Sequence, residues 1–495
     1  MSVAAEGSVT PAPPIAQDGA PVRMVPRPAP ASGPRLVPPT MHRLNTVVSV
    51  AIMALLVLAP IPLGSNRPAF WMIWSTAIGC LAFTYGLVLL RLRAPPRLGL
   101  AVFASEVALV LSLCAYVAVQ TLPLGGLLPQ VIRRVETLGI SPATLSLDPG
   151  SSRLVLIQFL TFGLLFFLAA QVAANRLRAR RMLLGILVII ALFAVVGLVS
   201  LTQLGDTLLG FEKQIYRGYA TATFINRNSF ATFLAVGLTL GTAILLEAVA
   251  LRRELPLGRL LGTLALVAGC MAVIGAALVA TGSRLGTVAG VGGAATALVL
   301  GTMAFRGIGR VGFIVAFVLL GTALAVVGTF GMSLVERLVL LPTVDESRVD
   351  AHRLIWAAIF ERPWLGYGAG SFATVFQAFQ RPPLSAESVW NNSHSTYLAL
   401  WFEMGLVAGS IPLVVIALLG LRTARGARDP ASAVVSVATL GVIVVFAIHS
   451  LLDFSAEIEA NAFLFTVILA LGAAGGLGRN IVPAGHGLRP HTPLT

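Results

Sequence analysis

Apolar runs of roughly 20 residues recur along the whole chain, and no other feature restricts the fold as strongly. A helix of that length, rising about 1.5 Å per residue, crosses the roughly 30 Å hydrocarbon core of a bilayer. Inside that core every backbone N–H and C=O must be satisfied within its own segment, so the runs predict transmembrane α-helices. Twelve are read, at about 44–63, 70–90, 99–120, 154–174, 182–203, 229–250, 260–281, 285–304, 311–333, 394–420, 432–452 and 462–478. The composition agrees: 57% of residues are hydrophobic and 11% are charged, against about 25% charged in soluble domains. The expected fold class is an all-α polytopic membrane protein with about 12 transmembrane helices.

The ends differ from the middle. Residues 1–43 contain ten of the 29 prolines with Ala, Ser and Gly, and read as a disordered cytoplasmic tail. Residues 44–480 form the membrane domain, and 481–495 a second short cytoplasmic tail. The run after His42 is too long for a signal-peptide core and lacks a small-residue cleavage site, so it is expected to remain as the first span. Cys80, Cys114 and Cys270 all fall inside apolar runs, which leaves no disulfide framework.

The net charge of +14 comes from 33 Arg and the single Lys213. These cluster between apolar runs rather than forming a phosphate-tracking patch, so a nucleic-acid partner is excluded. With the N-terminus in the cytoplasm, the inward loops RLRAPPR, NRLRARR, RRELPLGR, RGIGR and RTARGAR, the last with its trailing Asp429, carry 15 Arg against two acids. This is the positive-inside pattern, and it puts both termini in the cytoplasm. One outward loop, 334–393, is long. Within it Val349, Ile355 and Ile359 stand near helical spacing and predict a helix lying in the membrane interface. Gly366, Gly368 and Gly370 follow Pro363. No strand precedes them, so they make no dinucleotide fingerprint.

Polar residues from distant parts of the chain converge on the outward face. Arg227 starts the sixth span in INRNSF, and Arg284 occupies the tight turn TGSR between the seventh and eighth. His394 opens the tenth span in NNSHSTYL, with Tyr397 one turn deeper on nearly the same face. His449 and Asp453 close the eleventh. Arg217, Arg348 and Arg353 lie in adjacent outward loops. Each has a plain alternative. An arginine at a span end is often a snorkelling anchor. His394, Asn392 or Ser393 could cap the tenth span. His449 and Asp453, four residues apart, read as a structural pair. Glu403, deep in the tenth span, reads as a hydrogen bond to a neighbouring helix, and Glu106, deep in the third, has no assignment. Glu457 and Glu459 are a weak metal pair without a clear third ligand, so no metal and no cofactor are expected.

Arginine forks bind phosphate oxygens in pairs and stay charged. A neutral histidine takes a proton from a hydroxyl near pH 7. Together Arg227, Arg284 and His394 fit transfer of a group from a lipid diphosphate to an alcohol, with Asn226 and Asn228 orienting or extending the arginine grip. A transporter is the competing class. It would need ionisable residues along a path through the membrane and often shows internal repeats; here the charges gather at one face and no repeat is evident.

FINRNSFATFLA, TGSRLGTVAG, HRLIWAAIFERPWLGYGAGSF, NNSHSTYLALWFEMGLVAG and HSLLDFSAEIEANAF occur in that order. The chain thereby resembles the O-antigen ligase and polymerase family of bacterial envelope proteins over about residues 40–480. The resemblance implies a fold similar to the C-type glycosyltransferases. It implies a glycan carried on undecaprenyl diphosphate at the periplasmic face of the inner membrane, and an acceptor glycolipid (lipid A core) or growing glycan. It implies inverting, metal-independent transfer, with Arg227 and Arg284 as the family's two arginines and His394 as its proposed base. Arg217, Arg353, Asn392, Tyr397, His449 and Asp453 join Asn226 and Asn228 as candidate substrate contacts. A ligase and a polymerase share this site chemistry, and HSLLDF with EANAF looks more like exopolysaccharide-associated members than like the simplest ligases.

Overall fold

The computed structural model describes residues 39–124, 144–305, 346–382, 384 and 389–477. The predicted span at 311–333, much of the loop from 334, the first 38 residues and the stretch after 477 lie outside the described residues. The described chain is helical, with one two-stranded hairpin. Its helices are α1 (Pro39–Leu58), α2 (Pro68–Arg91), α3 (Ala104–Gln120), α4 (Pro149–Ala173), α5 (Arg176–Thr202), α6 (Arg227–Ala250), α7 (Leu257–Ala280) and α8 (Arg284–Ala304). Then come α9 (Glu346–Glu361), α10 (Phe372–Val375), α11 (Thr396–Gly426), α12 (Ala433–His449) and α13 (Glu459–Gly475). The hairpin pairs β1 (Thr207–Leu208) with β2 (Phe211–Glu212). Among the described residues nine helices are long and apolar enough to cross a membrane, and α12 and α13 are shorter apolar helices. The chain is an all-α polytopic membrane protein.

Polar caps set the starts. Asp148 accepts from Ser151 N, Asn175 from Arg178 N, Asn226 from Asn228 N, Ser283 from Gly286 N and Ser395 from Leu398 N. Each satisfies a backbone donor that the first helical turn leaves open. The first helix begins at Pro39, taking in the last five residues of the expected tail; proline suits a first turn because its missing N–H has no partner there anyway.

Helix α6 is the hub, with 89% of its most apolar stretch buried. It packs on α8 and α12 through small residues. A Cβ at Gly293 would fall 2.4 Å from Val445 and 2.5 Å from Thr239, and one at Gly441 2.5 Å from Thr239. Small residues let backbones approach closely where lipid offers no hydrophobic drive for helix association.

At one end of the bundle the arginine-rich loops meet acids. Arg422 grips Glu106 with two hydrogen bonds, at 2.5 and 3.1 Å. Arg180 lies 2.8 Å from Glu247, and Arg176 2.6 Å from Asp429. Glu106 therefore sits in the first α-helical turn of α3 with an ion-pair partner, within an apolar span that runs from Leu100 to Gln120. The opposite end collects residues 59–66, 144–152, 203–226, 281–283, 363–371 and 450–458.

At that end α11 is broken. Gly405 is non-helical (φ 75°, ψ 169°), and the loop 363–371 lies against the gap. Tyr367 N donates to Phe402 O at 3.0 Å, Gly368 N to Glu403 O at 2.8 Å, and Leu406 N to Pro363 O at 2.7 Å. Glu403 accepts from Gly370 N at 2.8 Å and Phe372 N at 3.3 Å, so its partners are this loop and the first residue of the short helix α10. Helix α9 covers the loop. Ile355 and Ile359 are fully buried against Tyr367, Phe376 and Phe402. The expected apolar stripe thus divides: the isoleucines face protein, whereas Val349, Trp356, Phe360 and Trp364 stay exposed.

The glycines here are backbone contacts. A Cβ at Gly366 (φ 62°) would stand 2.4 Å from the carbonyl carbon and oxygen of Glu403, which cannot rotate away. Gly366→Ala is expected to destabilise the protein by about 1–3 kcal/mol, read as a lower thermal midpoint in detergent. At Gly79 an added Cβ would meet nothing within 4 Å, so Gly79→Ala should leave the midpoint unchanged or slightly raised.

Candidate functional site

Arg227 occupies the first turn of α6, directly after the cap Asn226. Its guanidinium lies over the Tyr219 ring, 4.1 Å from the centroid, and 5.6 Å from that of Tyr216. Such stacking attracts the cation without neutralising it. Its Nε is buried and has no hydrogen-bond partner among the described residues. The turn that carries Arg284 stands alongside: a Cβ at Gly282 would be 2.5 Å from the Tyr219 ring and 3.2 Å from Arg227 Nη1. Ser283 then caps α8, whose first residue is Arg284. Among the described residues neither Arg227 nor Arg284 has an acidic partner, in contrast to Arg176, Arg180 and Arg422.

His394 is not on α11. It precedes the cap Ser395 and has a left-handed backbone (φ 54°). The expected shared face with Tyr397 is therefore absent, and neither His394, Asn392 nor Ser393 caps the helix. The imidazole is held edge-on between Trp390, at 5.6 Å, and Phe454, at 5.3 Å. Its turn is fixed from two sides. His352 Nε2 on α9 meets Ser393 O at 3.1 Å, and Thr396 N donates to Ser450 O at 3.1 Å. Tyr397 points its hydroxyl at Ala447 O, 3.0 Å away. Asn392, two residues before His394, is half-buried.

Asp453 connects these parts. Its Oδ2 accepts from Asn228 Nδ2 at 2.9 Å, and its Oδ1 from the Ser455 hydroxyl. Its carbonyl accepts from Thr396 Oγ1 at 3.4 Å. His449 Nδ1 lies 3.8 Å from Asp453 Oδ1, both side chains being buried, which fits the structural pair expected from their spacing. Asn461 adds bonds of 3.0 Å to Ser229 O and Ser455 O. Asn228 is thus occupied by a carboxylate, and Asn226 by the helix cap.

Arg217 and Arg353 are drawn to local acids. Arg217 pairs with Glu212 at 2.7 Å and Arg353 with Asp350 at 3.3 Å, both arginine side chains being largely exposed. Glu457 is exposed to solvent. Among the described residues no three His, Cys, Asp or Glu side chains form a metal-binding group.

The sequence reading missed Tyr216, Tyr219, Lys213 and His352. A signal existed for the tyrosines: YRGYATATFINR places two aromatics on a glycine turn shortly before the arginine.

Residues 267–413 match the family model described as O-Antigen ligase. No curated protein matches the chain. The matched stretch takes in Arg284, His352 and His394. Over that stretch, under a third of its length, the chain is similar to the O-antigen ligase family.

His352 gives this site a pH dependence. Burial, first, and the neighbouring Arg348 push its pKa below the usual histidine value, although the Ser393 carbonyl favours the charged ring. The unfolded chain then binds a proton between the folded pKa and about 6.5, where the folded protein does not, so stability rises with pH across that window. The thermal midpoint is expected to fall as pH drops below about 6.5, and to fall less steeply in His352→Gln.

Proposed function

We propose that this chain is a membrane glycosyltransferase that moves a glycan from undecaprenyl diphosphate to an acceptor sugar hydroxyl. The reading rests most on one observation: Arg227, without an acidic partner among the described residues, lies against Tyr219 and the Gly282 turn that leads to Arg284, at the end of the bundle that also holds His394. An unneutralised pair of forks suits a diphosphate, whose leaving charge it stabilises as a metal does elsewhere. In the step proposed, a ring nitrogen of His394 takes the acceptor hydroxyl proton. The acceptor oxygen bonds to the anomeric carbon from the face opposite the diphosphate. The bond from that carbon to the phosphate oxygen breaks, and its electron pair leaves with undecaprenyl diphosphate. The anomeric configuration inverts, and no metal takes part.

The positive-inside pattern supports placing the site at the periplasmic face of a bacterial inner membrane, with both termini cytoplasmic. The architecture proposed is C-type glycosyltransferase-like. A ligase would use lipid A core as acceptor. The alternative, a polymerase of O-antigen or exopolysaccharide repeats, would use the growing glycan at the same residues. A lipid-linked glycan transporter is less well supported. Glu106 and Glu247 are engaged by arginines and Glu403 by backbone donors, so these three acids have structural partners, whereas the buried Glu459 carboxyl has no hydrogen-bond partner among the described residues.

Arg227→Lys and Arg284→Lys keep the charge but lose the bidentate fork. Each is expected to reduce turnover of a purified lipid-linked donor severely, and parental rates in both would reduce these arginines to interfacial anchors. His394→Gln and His394→Ala should each lower turnover by at least roughly a hundredfold while leaving donor-lipid affinity near parental. Normal turnover in the Gln variant would remove the base role. For orientation, in a chain with its three cysteines replaced, Gln214→Cys should react with an impermeant thiol reagent once only the outer membrane is opened. Glu254→Cys, in an arginine-rich loop, should react only after inner-membrane lysis.

A further inference from the structure

The segment between β2 and α6 does more than join two spans. Lys213, the single lysine of the chain, is buried. It bonds the Asp206 carboxylate, and it donates to the Tyr219 carbonyl at 2.7 Å. The second Asp206 oxygen accepts from Gly218 N at 2.6 Å. Tyr219 N donates to Tyr216 O at 3.3 Å, and Ala220 N to Ala280 O at 2.9 Å, at the end of α7. The backbone of Tyr219 is therefore fixed on both sides. Its ring is wedged between two things only glycine and arginine could offer: the bare backbone of Gly282 and the guanidinium face of Arg227.

We propose that Tyr219 is a positioning residue that holds Arg227 and the Arg284 turn at one separation, pre-set for the two phosphates of an isoprenoid diphosphate. The inference rests on the transferase reading of the site. An arginine at the mouth of a span has many rotamers, and ordering it on binding would weaken affinity. A carboxylate could order it, but would neutralise it and compete with phosphate. An aromatic face orders it without a counter-ion and without consuming its N–H donors. Tyr219 contributes no proton and no phosphate contact in this role. Its effect runs through the electron density of its ring, which a purely space-filling residue would not share.

That difference is the test. The full-length protein is purified in detergent or nanodiscs, and binding of farnesyl diphosphate serves as the probe. Tyr219→Phe should bind within about twofold of the parent, because the ring persists. Tyr219→Leu should bind about tenfold more weakly, the worth of a partly desolvated cation–π contact. Phenylalanines with one, two and three ring fluorines, installed at position 219, should weaken binding stepwise at nearly constant shape, and the steps should vanish in an Arg227→Gln background. The fluorinated series keeps the proposal testable even if the leucine variant does not fold. A flat fluorine series, or a leucine variant that binds like the parent, overturns the role of Tyr219 while leaving the transferase reading intact. A parent protein that binds no farnesyl diphosphate removes both.

Discussion

One buried carboxylate holds the candidate site together. An ionised group away from water is costly unless its lone pairs are met, and Asp453 meets them with donors from different elements. Asn228 belongs to the first turn of α6, next to Arg227; Ser455 belongs to the turn before α13. Its own carbonyl is reached from Thr396, two residues beyond His394. Satisfying Asp453 therefore fixes the start of α6, the start of α11 and the segment after α12 relative to one another. Arg227 and His394 are thereby held in a common frame. His449, 3.8 Å away, closes the buried side of the same cluster.

The same rule sorts the arginines. At the end of the bundle with the basic loops, Arg422, Arg180 and Arg176 have carboxylates, and in a membrane protein such pairs anchor helix ends. At the other end Arg227 has aromatic rings instead. The two solutions differ in what they leave behind. A carboxylate consumes the guanidinium donors and cancels its charge, whereas a ring face leaves both available. Choosing tyrosines over acids suits an arginine meant to meet an anion.

The spans were legible because the bilayer sets their length: each predicted run apart from 311–333 coincides with a described helix. Their starts were not, because the caps Asp148, Asn175, Asn226 and Ser283 lie outside the predicted runs, whereas Ser395 lies inside one. The partner of Glu106 was not legible either: Arg422 lies 316 residues away, and no local pattern announces it. Arg227, Arg284 and His394 stood out because a polar residue at the mouth of an apolar run is conspicuous. Tyr219 and His352 were hidden, since an aromatic in a loop and a histidine on a helix acquire meaning only from what the fold sets beside them.

The break in α11 shows how far such placement extends. Irregular backbone near membrane depth is tolerated only where protein satisfies it. At Gly405 the freed groups pair with the loop 363–371, which can approach because Gly366 has no side chain. That loop supports α9, whose Ala358 carbonyl takes the Tyr367 hydroxyl at 2.8 Å. Helix α9 in turn brings His352 to Ser393. The left-handed turn of His394 is therefore braced from α9 on one side and from Ser450 and Asp453 on the other. A residue in a sparsely populated backbone conformation persists only where its surroundings over-determine it. Two independent braces on a four-residue segment supply that condition and aim one imidazole, which is the arrangement a proton-transfer group requires.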